Sequence, residues 1–251
     1  MKKVLGIFVL VILLIASGIY YIFSGAGDFI AAQIEKQGSQ YLATPVSVSA
    51  VELSLAEGRM SIIDLHIKNP QGFNDKDALS VDNITLDLGK IINQPYVVQT
   101  VSINAPEVLY EVNQSGEGNL LELKNNLIAK LSESKSEPQT SEQAAANPLV
   151  IVEKVEISKV RLKLDFEQLP TGDLKLDTKS YEITLPTFSA GSIGQPNGMP
   201  ANQVGLEVVK AMLDNVIKAA KAEAKKRLAE QAKQKVQDKL KDKVKGLLNK
   251  D

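Results

Sequence analysis

Twenty consecutive residues without a charge, Val4 to Phe23 (VLGIFVLVILLIASGIYYIF), constrain this chain more than any other feature. As a helix they reach across the roughly 30 Å hydrocarbon core of a bilayer, so the rest of the chain is expected to work attached to a membrane. Lys2 and Lys3 precede the stretch, and the first charges after it are Asp28 and Glu35. That asymmetry keeps the amino terminus in the cytoplasm and exports the remainder, with Tyr20 and Tyr21 at the outer headgroup level. A cleaved signal peptide is the alternative, with Ser24, Gly25 and Ala26 near a cut, although the apolar region of such peptides runs only about 7–15 residues. The chain has no cysteine, which excludes a lipoprotein anchor, a disulfide framework and cysteine-ligated metal.

Behind the span, residues 28–131 read as a β-rich region with short helices. Phe29, Ile30, Ile34, Tyr41 and Leu42 recur at helical spacing, with Asp28 as a cap, Gly38 as a weak point inside and Thr44-Pro45 as the stop. Val46, Val48 and Ala50 then alternate before Val51, Leu53 and Leu55 take over the apolar face, and Met60 and Ile62 give way in the same manner to Ile63, Leu65 and Ile67. A slip of one residue within a strand is what a bulge produces, and Glu57-Gly58 supplies the turn of a hairpin. Leu79, Val81, Ile84, Leu86 and Leu88 form a third alternating strand with another slip near Asn83, and three such strands in sequence predict an antiparallel sheet. Val98, Val101, Ile103 and Val108, Tyr110, Val112 continue it, and Leu120, Leu123, Leu127 and Leu131 mark a helix with Asn119 near its cap.

Residues 132–148, rich in Ser, Glu, Gln and Ala without apolar period, are expected to be a flexible insert. Residues 149–200 resume the sheet through Val152, Val155, Ile157, Leu174, Leu176, Ile183 and Leu185, while Gly191 to Pro200 reads as a loop. The segment Val152 to Phe166 lies over Val98 to Val112 as a short internal repeat that matches Val152 to Val98, Val155 to Val101 and Ile157 to Ile103; any amphipathic strand would mimic part of it.

From Ala201 to Asp251 the residues change to Ala, Lys, Glu and Gln, and a helix of up to roughly 70 Å is expected. This part holds thirteen Lys and Arg against seven Asp and Glu, a surplus of six, so within the total of −1 the preceding part carries −7. In an exported chain a basic surplus meets anionic lipid rather than nucleic acid, or is merely solvated. Apolar residues recur every four from Val204 through Val236 and Leu240 to Leu248, a stripe that winds around a straight helix. The first half, with Val209, Leu213 and Ile217, is expected to pack on the sheet, while the second half faces something else or stands solvated.

Groups for catalysis do not converge in this sequence. His66 is the only histidine, placed on the polar face of its strand between Leu65 and Ile67. There is no HExxH, no Ser/His/Asp arrangement and no phosphate-binding glycine loop. No enzyme activity, cofactor or metal is expected.

Pro45-Val-Ser-Val-Ser-Ala-Val-Glu-Leu-Ser-Leu, Gly58-Arg-Met-Ser-Ile-Ile-Asp-Leu-His-Ile-Lys-Asn-Pro-Gln-Gly-Phe73, the Val81-to-Leu88 strand, Ile103-Asn-Ala-Pro-Glu-Val-Leu-Tyr110 and Gly116-Glu-Gly-Asn-Leu-Leu-Glu-Leu123 follow one another in an order that resembles the AsmA-like family of bacterial envelope proteins. The resemblance covers about residues 1–190. It implies a single-pass inner-membrane anchor over 1–27, a periplasmic domain similar to bridge-like lipid-transfer proteins, and a role in lipid transport or outer-membrane homeostasis. The expected fold is thus α+β: an N-terminal transmembrane helix, a curved, mostly antiparallel sheet with one apolar face, and a long C-terminal amphipathic helix. A sheet apolar on one face must cover that face with a helix or offer it to acyl chains. The candidate lipid-contacting residues are Val48, Leu53, Ile63, Leu65, Ile84, Leu86, Val101 and Ile103, and their alternative role is a closed core under residues 201–217. The expected partners are membrane lipids and, through the C-terminal helix, an envelope protein or the anionic membrane surface.

Overall fold

The computed structural model describes residues 25–54, 56–89, 93–136, 148–169 and 179–248. The expected span Val4–Phe23 lies outside them, as do Leu174, Leu176 and the 137–147 part of the insert. Among the described residues no helix is long and apolar enough to cross a membrane. Helix α1 covers residues 25–42. It is already helical three residues before Asp28, so Asp28 is not its cap. The chain leaves the helix through Ala43, whose φ of 53° ends the helical path before Pro45.

β1 (Val46–Ser54) and β2 (Arg59–Lys68) form the expected hairpin, and β3 (Asp77–Leu88) adds antiparallel to β2. β4 (Tyr96–Asn104) and β5 (Glu107–Glu111) both pair with β3 in one unbroken register, from Ile84↔Ile103 to Leu79↔Val108, so they are two halves of one long strand. The sheet is not wholly antiparallel. β6 (Leu149–Ser158) runs parallel to β4, and β7 (Arg161–Asp165) runs parallel to β5. A parallel neighbour requires a crossover, and α2 (Asn119–Ser136) lies on the connection from β5 to β6. This helix runs into the stretch expected to be flexible, through Ser132 to Ser136. β8 (Ser180–Thr184) and β9 (Phe188–Ile193) complete the far edge, antiparallel to β7 and β6, and β10 (Met199–Pro200) touches β6. The Gly- and Pro-rich segment read as a loop is therefore strand up to Ile193 and again at Met199.

The parallel register reproduces the internal repeat. Val98 pairs with Val152, Val101 with Val155, Ile103 with Ile157, and in the second half Tyr110 with Leu164. The backbone repeats as well: between the halves Ala105 has φ 51° and Lys159, its counterpart, φ 54°. The two bends interlock, with Ala105 N–H donating to Ser158 O at 2.8 Å and Arg161 N–H to Pro106 O at 2.8 Å.

These bends belong to a crease that crosses the sheet. The registers place Ser49 beside Asp64, Asp64 beside Asp82, and then Ala105 and Lys159 in the same row. Asp64 shares the left-handed conformation, with φ 49°. At this row the inward side chains jump by three instead of two: Val48 to Val51, Ile62 to Leu65, Val81 to Ile84, Ile157 to Val160. The slips seen in the sequence are real, but across this row they are not single-strand bulges. A bulge opposes two residues to one and shifts the register; here neighbouring strands insert their extra residue at one level, and the pairing continues in step on both sides. A true shift occurs farther along, between Asp87 and Leu88 against β4.

α3 (Ala201–Leu248) crosses this sheet. Leu206, Val208, Met212, Leu213, Val216, Ile217 and Ala220 are buried. The last of these lie where α3 meets α2 and β7, beside the buried Leu120, Leu123, Leu127 and Leu131 of α2, and Lys124 Nζ closes on Asp214 Oδ1 at 2.5 Å. Farther along, Arg227 stacks over the Tyr181 ring at 5.3 Å, and the Gln231 amide meets the Tyr181 hydroxyl. Beyond that contact Val236 and Leu240 are 59% and 57% exposed. The winding stripe is the reason: a four-residue repeat on a 3.6-residue helix carries its apolar side off the sheet within a few turns.

Candidate functional site

Two helices leave a gap over the apolar side of the sheet. α1 lies along the free edge of β1, held by side chains that take up the N–H groups an edge strand leaves open: Val48 N–H donates to Glu35 Oε1 and Val46 N–H to Ser39 Oγ, both at 2.9 Å. Gly27 permits the close approach, since a Cβ there would sit 2.2 Å from the Val51 carbonyl oxygen. Gly38, read from the sequence as a weak point, faces the Val46 methyls, which a Cβ would meet at 3.2 Å. α3 stands over β6 and β9 on the other side. Between them is a cavity of about 710 Å³.

Its floor consists of β2 (Met60, Ile62, Leu65, Ile67), β3 (Leu79, Val81, Ile84, Leu86, Leu88), β4 (Val98, Val101, Ile103) and the start of β6 (Val150, Val152). The walls are Phe29, Ile30, Ile34 and Leu42 of α1 and Val204, Leu206, Val208, Val209 and Met212 of α3. Among the described residues of the lining, Gln33, Gln37 and Asn202 are the only polar side chains, and none is charged. Coverage is graded. Ile67, Leu79, Val81, Val98, Val101 and Ile103 are buried, whereas Met60, Ile62, Leu65, Ile84, Leu86 and Leu88 are half-buried, and Phe29 is 66% exposed.

Five of the residues singled out from the sequence line this space: Leu65, Ile84, Leu86, Val101 and Ile103. Val48 pairs with Leu65 but is buried at the β1 edge outside the lining, and Leu53 pairs with Met60 yet is not part of it. Ile63 alternates with the inward Ile62 and so takes the opposite face, because the left-handed Asp64 delays the return inward to Leu65. The α1 wall and the α3 residues of the lining were not singled out. Their apolar periodicity was visible, but nothing local says that two helices stop short of each other.

A second polar constellation sits at the far side of the crease. Glu111 is 2% exposed, and its carboxylate accepts from Asn69 Nδ2 at 3.1 Å, Gln168 Nε2 at 3.2 Å and Asn74 N–H at 3.3 Å. Asn119, fully buried, donates to Asn69 Oδ1 at 2.7 Å and Leu109 O at 2.8 Å, and accepts from Glu111 N–H at 2.9 Å. Burial pushes the Glu111 carboxyl above the usual range; the Asn74 amide opposes this and the charge of Asp165 adds to it. Asn119 is thus more than a cap: it ties the 69–76 loop, β5 and α2 together. On the outer face His66 Nδ1 and Lys68 Nζ meet the Asp77 carboxylate at 2.9 and 2.8 Å. Burial raises the Asp77 pKa, but these hydrogen bonds outweigh it and hold the carboxyl below its ordinary value. Among the described residues no group of three or more His, Asp or Glu could hold a metal ion. No protein-family model, curated protein or solved structure matches the chain.

Proposed function

We propose that this protein is a membrane-anchored, non-enzymatic lipid-binding module of the bacterial envelope, of AsmA-like type, whose cavity receives the acyl portion of a lipid in support of lipid transport or outer-membrane homeostasis. The observation that carries the reading is the 710 Å³ space whose described lining is apolar apart from three uncharged amides. Its size falls within the roughly 300–1,000 Å³ of pockets that enclose small ligands. Six large aliphatic side chains along it remain half-buried, and each Å² of apolar surface withdrawn from water contributes about 25 cal/mol, so a hydrocarbon chain is the occupant this lining favours. A charged headgroup would lose its hydration there without gaining a partner and therefore stays outside. Native mass spectrometry of the full chain purified in detergent tests this: lipid should co-purify, and the space-filling Ile84→Trp and Leu86→Trp variants should carry less of it. Lipid-free wild type, or equal lipid in the filled variants, would overturn the reading.

The second reading, a structural or assembly factor, draws on the exposed Val236 and Leu240 of a basic helix. In that case the α3 arm engages an envelope protein or the anionic membrane surface. Deleting Ala222–Asp251 should then abolish complex formation or membrane phenotype while leaving lipid occupancy intact; an unaffected phenotype would count against it.

A further inference from the structure

Independently of what the cavity holds, we infer that the tip of the 69–76 loop is a proton-operated flap: it lies closed over the end of β5 while Glu111 is neutral and lifts when Glu111 ionises beside Asp165. The placement of two carboxyl groups carries the inference. Glu111 ends β5 and Asp165 ends β7, and the parallel register sets them side by side on the outer face. They are 2% and 7% exposed. Among the described residues neither has an ion-pair partner. Two neighbouring charges withdrawn from water without a cation repel each other and lose their hydration, so the closed arrangement favours one of them neutral.

The loop is what closes over Glu111. Asn69 Nδ2 and Asn74 N–H donate to its carboxyl group, as does Gln168 Nε2 from the chain after β7. A neutral carboxyl keeps acceptor capacity for such donors and gains an O–H that can turn to Asp165. The base of the loop is pinned separately, by Asn69 N–H on Lys76 O at 3.0 Å and by Lys68 Nζ on Asp77, and Gly72 turns its tip with φ 94°. Residues 70–75 can therefore lift without unpairing β2 from β3. Leu109 shares the face of Glu111 and is buried although it stands outside the main core; the lifted flap would uncover it, together with the Asn119 joint of α2. The charged groups on the segments around Glu111 are Asp75 and Lys76 of the loop, Asp165, Glu167 and Lys179 about the end of β7, and Glu117 and Glu122 about the start of α2, with His66, Lys68 and Asp77 at the loop base. Burial, with the Asp165 charge, holds the Glu111 carboxyl above its ordinary range against the opposing Asn74 amide, Lys76 and Asn69.

The chain contains no tryptophan, so Phe73→Trp at the half-buried loop tip gives the full chain, in detergent, a single fluorescent reporter. Its emission should move to longer wavelength as pH rises from about 4 to about 9, a range that brackets the glutamate carboxyl. Glu111→Gln, neutral at every pH, should hold the emission at its acid position throughout. Asp165→Asn should bring the midpoint down, since the like charge is gone, and Asp77→Asn, at the loop base, should leave the transition in place. Should the reporter disturb the loop, hydrogen exchange of residues 70–76 without it, corrected for the intrinsic pH dependence, decides: the rate should rise several-fold with pH in the parent chain and stay level in Glu111→Gln. Emission and exchange that stay level in the parent, a response that survives Glu111→Gln or vanishes in Asp77→Asn, or a midpoint unmoved by Asp165→Asn, overturns the flap.

Discussion

Replacing Ala105 by glycine, ordinarily a destabilising change in a strand, should stabilise this protein. Ala105 has φ 51° and is half-buried, and its counterpart Lys159 has φ 54° and is exposed. The left-handed conformation costs an L-residue roughly 1–2 kcal/mol through the approach of Cβ to the following carbonyl. Glycine removes that cost but widens the unfolded ensemble by roughly 0.4–1 kcal/mol. The net expectation is a gain of about 0.5–1 kcal/mol for Ala105→Gly, and for Lys159→Gly as well, since its exposed side chain gives up little packing. Asp64 should gain less, because a short polar side chain tolerates this conformation better. Ala50→Gly, in β1 outside the positive-φ residues, should lose about 0.5–1 kcal/mol in the usual way. The measurement is urea unfolding of each variant followed by circular dichroism, read as a change in midpoint at constant slope. A converse change, Ala105→Val, should destabilise because a β-branched residue fits this region worst. If Ala105→Gly and Lys159→Gly fall as Ala50→Gly does, the crease does not hold these residues in the left-handed region and the explanation of the spacing of three collapses.

Other expectations test the remaining joints. Gly27→Ala puts a methyl 2.2 Å from the Val51 carbonyl, so α1 must leave the β1 edge; a loss of about 1–3 kcal/mol and faster hydrogen exchange at Val46 and Val48 are expected. Glu111→Ala takes the acceptor from the buried Asn69 amide and the half-buried Asn74 N–H, at a cost of about 1–3 kcal/mol in the same unfolding assay. Because the Glu111 carboxyl titrates above its ordinary value in the fold, its contribution to stability is complete below the usual glutamate pKa and is lost as pH rises through the raised one; Glu111→Gln should flatten that part of the profile. Asp77 has the opposite sign. Its lowered pKa gives stability that is present above about pH 4 and fades in acid, so Asp77→Asn should destabilise by no more than about 1 kcal/mol at neutral pH and be indistinguishable from wild type at the acid end.

Local patterning determined a good deal of this protein. The hairpin around Gly58, the third strand, α2 and the long terminal helix follow from alternation and helical spacing over a few residues, and so does the one-residue slip in each of the first three strands. The Val98-to-Val112 and Val152-to-Phe166 likeness even carried the register of two parallel strand pairs, because strands equivalent in side-chain pattern bury the same face only when laid level. What the sequence could not express is pairing between distant segments. That the slips at Ser49, Asp64, Asp82, Ala105 and Lys159 fall in one row depends on five strands being brought side by side, and only then does a set of local irregularities become one crease. The same holds for Glu111, Asn69 and Asn119, which are a strand end, a loop and a helix start until the fold buries them together. Whether the apolar side of the sheet is closed or open was likewise decided in three dimensions. It is closed where α3 meets α2 and β7 and open between the first turns of α3 and α1, because Glu35 and Ser39 hold α1 out at the β1 edge, where the first turns of α3 do not reach it.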